Sequence, residues 1–335
     1  MAAKEKKAYL YINYANIVVL QGYMNVIKDA LVQTGYVCEF TKSLTDVPKQ
    51  DLIVFPMGKD AFRYYMKGYR NFVLWQQGVT GEESFMRHQS KVRRAVLNYM
   101  DCFAMKKAKM IFFVSQYMKE YYERLSGTDY SDKAYVMPCF NETLDLNMLS
   151  QKNYSAKVFS YVGSLDLWQC FEETADVYAE IERRIPDAFF KVLTFNIDKA
   201  DQILRGKGIR NYSVVCVPKD QVRDELSDVT YGFILRHNIE VNRVATPTKI
   251  SSYLSAGVLP IYSPCLVDFH GQASKKHFAF GMSPKDNVEE LVKFVNTTHE
   301  PDVLQQEIRS LFRTYYSPDY HIQLISALAR KCLNK

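Results

Sequence analysis

The chain lacks any run of about 18 continuous apolar residues, the length a membrane-spanning helix needs, so no segment reads as a span. Its opening residues, MAAKEKKAYLYIN, also lack the long apolar core of a secretory signal. The seven cysteines are dispersed and odd in number, with no CxxC pair and no Cys/His cluster along the sequence. That usage suggests neither a disulfide framework nor a metal site, and a reducing, cytoplasmic setting is expected. No short repeat, low-complexity segment or heptad run is present. No DxD pair stands at the end of a strand-like run, which argues against a metal-dependent single-domain transferase. No nucleic-acid-binding motif accompanies the basic residues, so nucleic acid is not an expected partner.

What is present is enough for packed cores. The 335 residues are 47% hydrophobic and 14% aromatic, which leaves room for two domains of about 150 residues each. The net charge of +6 is uneven. Its excess gathers in Ser84–Lys109, where Arg87, Lys91, Arg93, Arg94, Lys106, Lys107 and Lys109 face only Asp101 and are interleaved with Phe85, Val92, Val96, Tyr99 and Phe103 at helical spacing. A helix of this kind suits either an anionic membrane surface or plain solvation of a basic face.

Apolar runs alternate with helical patterns along the chain. Ala8–Asn13, Tyr36–Phe40, Asp51–Phe55, Phe72–Trp75 and Met110–Val114 read as strands. Helices are expected over Tyr23–Thr34, Asp60–Lys67 and Gln116–Leu125, with a loop over Tyr14–Gly22. Continuous apolar strands, rather than period-two alternation, indicate a parallel sheet covered on both faces. Residues 141–155 are polar and lack a strong period, which marks a linker. The pattern then restarts with strands at Lys157–Val162, Ala188–Leu193 and Tyr212–Val217, and it closes on helices at Val288–Val295, Val303–Tyr315 and Asp319–Leu333. The fold class is therefore α/β. Two Rossmann-like parallel-sheet domains are expected, over residues 1–145 and 156–315, with residues 316–335 as a closing helix.

The most informative stretch runs from Val229 to Ser263. Val229–Leu235 is a strand ending on Arg236; Thr246 suits an N-cap and Pro247 the first helical position; the helix stops at Gly257 before a strand over Val258–Tyr262. The amides of Thr248 and Lys249 open that helix and have no partner inside it. Together with the helix dipole, the Lys249 ammonium and the Arg236 guanidinium, they read as a phosphate or diphosphate site. The alternative is a capped helix with two solvated cations. A second candidate site is the loop after the fourth strand, Gln76–Ser84, where Glu82 and Glu83 are either candidate bases or an acidic pair beside a helix N-terminus.

The ordered segments KVFSYVGSL, AFFKVLTF, VTYGFILR and PTKISSYLSAGVLPI resemble the carboxyl half of a family 4 (group 1) glycosyltransferase of GT-B fold. MIFFVSQYMKEYYERL followed by YVMPCFNE is similar to the stretch before that family's linker. The likeness covers most of the second half and, loosely, residues 111–141. It is closest to the bacterial polysaccharide and glycolipid branch. It implies two domains facing a central cleft, a nucleoside-diphosphate sugar in the carboxyl domain and a saccharide or lipid-linked acceptor in the amino domain. It also implies retention of anomeric configuration, with no cofactor and no metal. By position, Arg236 and Lys249 become the cations that neutralise the leaving diphosphate. Gly163 and Ser164 become the donor loop, and Thr246, Pro247 and Thr248 phosphate or ribose contacts. Gln77, Gly78 and Glu82 fall on the acceptor side. The chain departs from the family at Val244 and Ser252, which replace two Glu separated by seven residues, and at Ser164 and Trp168-Gln169, which stand near the usual Arg and Lys after the glycine loop. A nucleotide-sugar epimerase or phosphorylase on the same scaffold, and a partner subunit without chemistry, are the rival readings.

Overall fold

A computed structural model of the chain describes residues 5–12 and 17–333. Two compact units emerge: Met1–Cys139 together with Ser317–Lys335, and Phe140–Tyr316.

The first unit is built in the order β1 (Lys6–Tyr11), α1 (Ile17–Val32), β2 (Tyr36–Thr41), β3 (Leu52–Phe55), α2 (Gly58–Met66), β4 (Phe72–Gln76), α3 (Thr80–His88), α4 (Lys91–Lys107), β5 (Met110–Phe113), α5 (Gln116–Ser126) and β6 (Ala134–Val136). Its six strands are parallel in the order β2-β1-β3-β4-β5-β6. Strands β3, β4 and β5 are buried throughout, as strands covered by helices on both faces must be. Helix α1 begins at Ile17, well before the expected Tyr23, so the reading of Tyr14–Gly22 as a loop is corrected over its described part. Residues 13–16, including the end of the expected Ala8–Asn13 strand, lie outside the described residues. The expected single basic helix is two helices. Gln89 breaks it in the left-handed region at φ 52°, and Ser90 Oγ restarts it by accepting from the Arg93 amide at 3.3 Å.

The second unit runs α6 (Leu146–Gln151), β7 (Val158–Val162), α7 (Phe171–Arg184), β8 (Phe189–Leu193), α8 (Ile197–Gly206), β9 (Tyr212–Val215), α9 (Val222–Glu225), β10 (Tyr231–Ile234), α10 (Glu240–Arg243), α11 (Thr248–Ser255), β11 (Leu259–Tyr262), α12 (Val267–Ala273), β12 (Phe280–Gly281), α13 (Glu289–Asn296) and α14 (Pro301–Thr314). The expected linker holds α6, capped by Asp145 Oδ1, which accepts from the amides of Asn147 and Met148. The sheet is again six-stranded and parallel, in the order β12-β11-β10-β7-β8-β9. Chain progress reverses between β7 and β10, and ligands of open α/β sheets bind outside the carboxyl ends of strands at such a reversal. Phe159 of β7 stacks on Tyr231 of β10, with ring centroids 5.0 Å apart, and fixes this pair of strands. The last helix, α15 (Pro318–Leu333), belongs with the first unit: Ser326 Oγ donates to the Ala30 carbonyl of α1 at 3.1 Å. Among the described residues no helix is long and apolar enough to cross a membrane.

Candidate functional site

Three chain segments converge at the reversal of the second sheet. Gly163 follows β7, Arg236 follows β10, and Lys249 stands in the first turn of α11. Gly163 has φ 134°, open to glycine and strained for other residues, and its amide donates to the Leu193 carbonyl at 2.9 Å. A Cβ added there would lie 2.8 Å from Lys249 Cε and 2.9 Å from Nζ. The glycine therefore lets the lysine end pass beneath the loop. The Lys249 ammonium also lies over the Tyr161 ring, 4.4 Å from its centroid, a cation–π contact.

Arg236 is only 4% exposed. Its Nη1 donates to the carbonyls of Gln169 (2.9 Å) and Leu235 (2.7 Å), its Nη2 to Gln169 Oε1, and its amide to Ser263 Oγ at 2.9 Å. Lys249 Nζ donates to the same Gln169 Oε1 at 2.7 Å. Among the described residues neither cation makes an ion pair with a carboxylate. Asp166, whose charge Lys249 feels, accepts instead from Ser164 Oγ at 2.7 Å. Burial first, and the neighbouring Arg236 second, hold the Lys249 ammonium well below the usual lysine range, although the residue as a whole is partly exposed. Desolvation of the ammonium end explains both observations. Burial likewise lowers Arg236 from its ordinary value. Two desolvated cations joined through a neutral amide create a demand for an anion.

The other expected donor residues fall around this pair. Thr248 is the first residue of α11, and Pro247 rather than Thr246 is its cap, with φ −62° and ψ 128° and no side-chain capping bond. The expectation of a Thr246 cap with Pro247 inside the helix is thus corrected, because Pro247 itself takes the extended conformation at the turn into the helix. Thr246 is buried. Val244, at one of the departing positions, is also buried, and Ser252 at the other donates to Asn141 Oδ1 at 3.0 Å. Beneath the site, Gly232 of β10 leaves room for Tyr253, whose ring carbon would lie 2.5 Å from an added Cβ. The Tyr253 hydroxyl accepts from the Val162 amide at 3.1 Å and so ties α11 to the end of β7.

In the first unit, Gln77 Nε2 donates to the Pro56 carbonyl at 2.8 Å, which pins the loop after β4 to the end of β3. Gly78 packs against Glu83, whose Oε1 would lie 2.2 Å from a Cβ. Glu82 and Glu83 occupy the first turn of α3, beside its dipole. Glu82 is committed: its Oε1 accepts from Arg94 Nε at 2.9 Å and from the Tyr121 hydroxyl at 2.8 Å. Behind the loop, Gln76 Nε2 donates to Gly78 O (2.8 Å), to the Tyr122 hydroxyl (2.8 Å) and to Asp101 Oδ2 (3.2 Å). Burial raises the Asp101 carboxyl to about 6, against the hydrogen bonds from Tyr122, Thr80 and Gln76.

Sequence reasoning missed Gln169, the residue that couples the two cations; the signal was its place where the resembled family carries cations. It also missed a group that only folding assembles, Cys170, Glu173 and His237, whose ligating atoms lie within 4.8 Å of one another. The sequence carries no Cys/His cluster along its length, and these three residues meet only through the fold.

No protein-family model and no curated relative matches the chain. Solved structures do. A glycosyltransferase from Rickettsia africae superposes with TM-score 0.69 at 10% identity, over 99% of this chain and 100% of that one. Sucrose-phosphate synthase from Thermosynechococcus elongatus gives TM-score 0.70 at 11% identity, over 98% and 99%. S. aureus TarM, solved with fondaparinux, α-GlcNAc-glycerol and UDP, gives 0.65 at 8% identity over 85% of this chain; the chain spans 57% of TarM's length. At these identities the likeness shows the fold, the pair of Rossmann-like α/β domains called GT-B.

Proposed function

We propose that the chain is a retaining glycosyltransferase that moves a sugar from a nucleoside-diphosphate sugar to a saccharide or lipid-linked acceptor. The observation that carries this reading is the Arg236–Gln169–Lys249 cluster beside the carboxyl ends of β7 and β10: a buried guanidinium and a partly exposed lysine with a desolvated ammonium, neither of them paired with a carboxylate among the described residues. In such a transfer the barrier is departure of the diphosphate, with negative charge growing on the bridging oxygen. Preorganised donors aimed at that charge contribute a few kcal/mol each. Arg236, Lys249 and the first amides of α11 are those donors, Gly163 lets the diphosphate approach the backbone, and Ser164, Thr246, Pro247 and Thr248 border it. The reading needs no metal and no cofactor for the transfer. On the acceptor side, Gln77 and Gly78 form the contacting loop and Glu82 braces it through Arg94 and Tyr121.

The polysaccharide or glycolipid setting is part of the same proposal. On α4, Val92, Val96 and Tyr99 are exposed by 76%, 53% and 62% at i, i+4 and i+7, one face of a helix, beside Lys91 and Arg93. That face suits anionic head groups. Co-sedimentation with vesicles containing anionic lipid, lost in a Val92→Ser/Tyr99→Ser variant, supports it, and equal partitioning to neutral vesicles removes it.

Calorimetric titration with UDP-, GDP- and TDP-sugars tests the donor site. Binding of one nucleotide class, with Arg236→Ala and Lys249→Ala each lowering turnover about 10²-fold or more, is the expected result. Unchanged rates in both variants would remove these roles. The second reading, a subunit that keeps the fold without chemistry, is favoured by Val244 and Ser252 standing where the resembled family has carboxylates; binding to none of the sugars would select it. Product analysis with donor alone separates an epimerase, which changes the donor without an acceptor.

A further inference from the structure

We infer that Cys170, Glu173 and His237 form a binding site for one zinc-like divalent cation. Their ligating atoms lie within 4.8 Å of one another, and His237 Nε2 stands 2.6 Å from Glu173 Oε1. A modest parting of that pair brings all three donors onto one ion.

The chain positions each donor separately. Cys170 and Glu173 are the cap and the first turn of α7, three residues apart and so on one side of the helix. Cys170 holds φ 50°, one of two non-glycine residues in the described chain with positive φ. That conformation is uncommon outside glycine and asparagine, and here it sets the thiol beside the helix start. His237 follows β10. Its carbonyl accepts from Asn242 Nδ2 at 3.0 Å and from the Cys265 thiol at 3.6 Å, which fixes the backbone that carries the imidazole. The Cys170 thiol makes a 3.9 Å contact with the Trp168 carbonyl and takes a hydrogen bond from the backbone of His237, which ties the two ligand-bearing segments together. Its burial is nearly complete, whereas the side chains of Glu173 and His237 are 35% and 39% exposed, so an ion can reach the cluster from their side. A small cavity of about 170 Å³ adjoins Cys170 and Glu173.

The donor set chooses the ion. Magnesium and calcium take oxygen ligands and do not use a thiolate. One sulfur, one imidazole nitrogen and one carboxylate oxygen suit zinc, or cobalt as its spectroscopic substitute. Three protein ligands leave the fourth tetrahedral position to water or to an anion. Coordination takes the thiol as thiolate, its proton passing to solvent, while the imidazole binds neutral. Gln169 directly precedes Cys170, and Arg236 directly precedes His237. An ion here therefore fixes the backbone of two of the three residues that set the cation pair. This coupling rests on the donor-site reading above; the site itself does not.

Titration of the chelator-stripped full chain tests the site without any nucleotide. Cobalt(II) is expected to bind one equivalent with a thiolate-to-cobalt charge-transfer band in the near ultraviolet, and zinc to compete with a chromophoric chelator for one equivalent. Cys170→Ser abolishes the band, and His237→Gln and Glu173→Gln each weaken zinc by about tenfold or more. Zinc uptake by the wild type no greater than by Cys170→Ser, or a cobalt spectrum without the thiolate band, overturns the proposal. Should Cys170→Ser fail to fold, Glu173→Gln and His237→Gln leave the thiol in place and decide the matter: unweakened zinc binding in both also overturns it. Loss of nucleotide binding with intact zinc binding would count against the donor site and leave this one standing.

Discussion

Arg236 and Lys249 are coupled through a single oxygen: Gln169 Oε1 accepts from Arg236 Nη2 and, at 2.7 Å, from Lys249 Nζ. A neutral amide can orient two cations but cannot neutralise them. Each cation is desolvated, and each is lowered from its ordinary pKa by burial before any other cause. The arrangement stores unfavourable electrostatics in the free protein, which a diphosphate would relieve under the proposed donor-site reading.

Replacing Gln169 by Glu supplies within the chain the negative charge that the proposed ligand would bring. The side chain keeps its length and gains one negative charge between the cations. Gln169→Glu is expected to raise the thermal midpoint and weaken nucleoside-diphosphate binding by about tenfold or more, equivalent to ~1.4 kcal/mol. Calorimetry with UDP and GDP, beside a thermal scan, reads both. Equal affinity in the two proteins would mean that the diphosphate binds elsewhere.

Lys249→Met separates stability from function. The folded-state pKa of Lys249 lies below its unfolded value, so between the two the unfolded chain binds more protons and stability rises with pH. Below that window the fold carries the full penalty of a buried ammonium. Methionine removes the charge and keeps the length, so the variant is expected to be more stable at neutral pH, on the order of 1 kcal/mol or more, and to lose this part of the pH dependence. Its turnover should fall as in Lys249→Ala. Urea unfolding at a series of pH values gives the comparison, and a variant less stable than wild type at pH 7 would contradict the assigned penalty.

Gly163→Ala acts on the same lysine from above. Its Cβ would sit 2.8 Å from Lys249 Cε, at a φ of 134° that alanine rarely adopts. The lysine end can move and the backbone strain remains, so a loss of roughly 1–3 kcal/mol in stability is expected, together with weaker nucleotide binding. Full affinity in a folded Gly163→Ala protein would show that the position of the ammonium does not matter.

Much of this was legible in the sequence, for identifiable reasons. Buried parallel strands such as Leu52–Phe55 and Tyr231–Ile234 are continuous apolar runs, and Arg236, Lys249 and Gly163 each mark a strand end or helix start that local pattern exposes. The start of α1 was hidden because Gly22, a loop signal, lies inside the helix, with open space around it. The break between α3 and α4 was hidden because Gln89 takes a conformation that sequence assigns to glycine. Gln169 and the Cys170–Glu173–His237 group depend on contacts across more than 60 residues, which no local periodicity encodes. Asp101, in the sequence no more than the one acid among the basic residues of Ser84–Lys109, is 1% exposed, and no local pattern marks that burial.

That buried acid gives the last prediction. Asp101 Oδ2 accepts from the Tyr122 hydroxyl at 3.0 Å and from Gln76 Nε2 at 3.2 Å, the two groups that hold the Gly78 carbonyl. Its other oxygen would lie 2.2 Å from a Cβ on Gly58, so that glycine is what admits the carboxyl. The folded-state pKa of about 6 stands above the unfolded value near 4. The folded protein therefore holds a proton through that window that the unfolded chain has released. The stabilisation is complete below about pH 4 and is lost as pH rises through 6, a change of roughly 2–3 kcal/mol for the two-unit shift. Asp101→Asn keeps one oxygen for Tyr122 and Gln76 and does not titrate. Its unfolding free energy is expected to fall less than that of wild type between about pH 4 and 7.5, by that amount. Parallel profiles in denaturant melts would show that the carboxylate is ionised at no cost to the fold. A converging pair at low pH and a diverging pair at neutral pH would identify Asp101 as the group whose burial the loop after β4 requires.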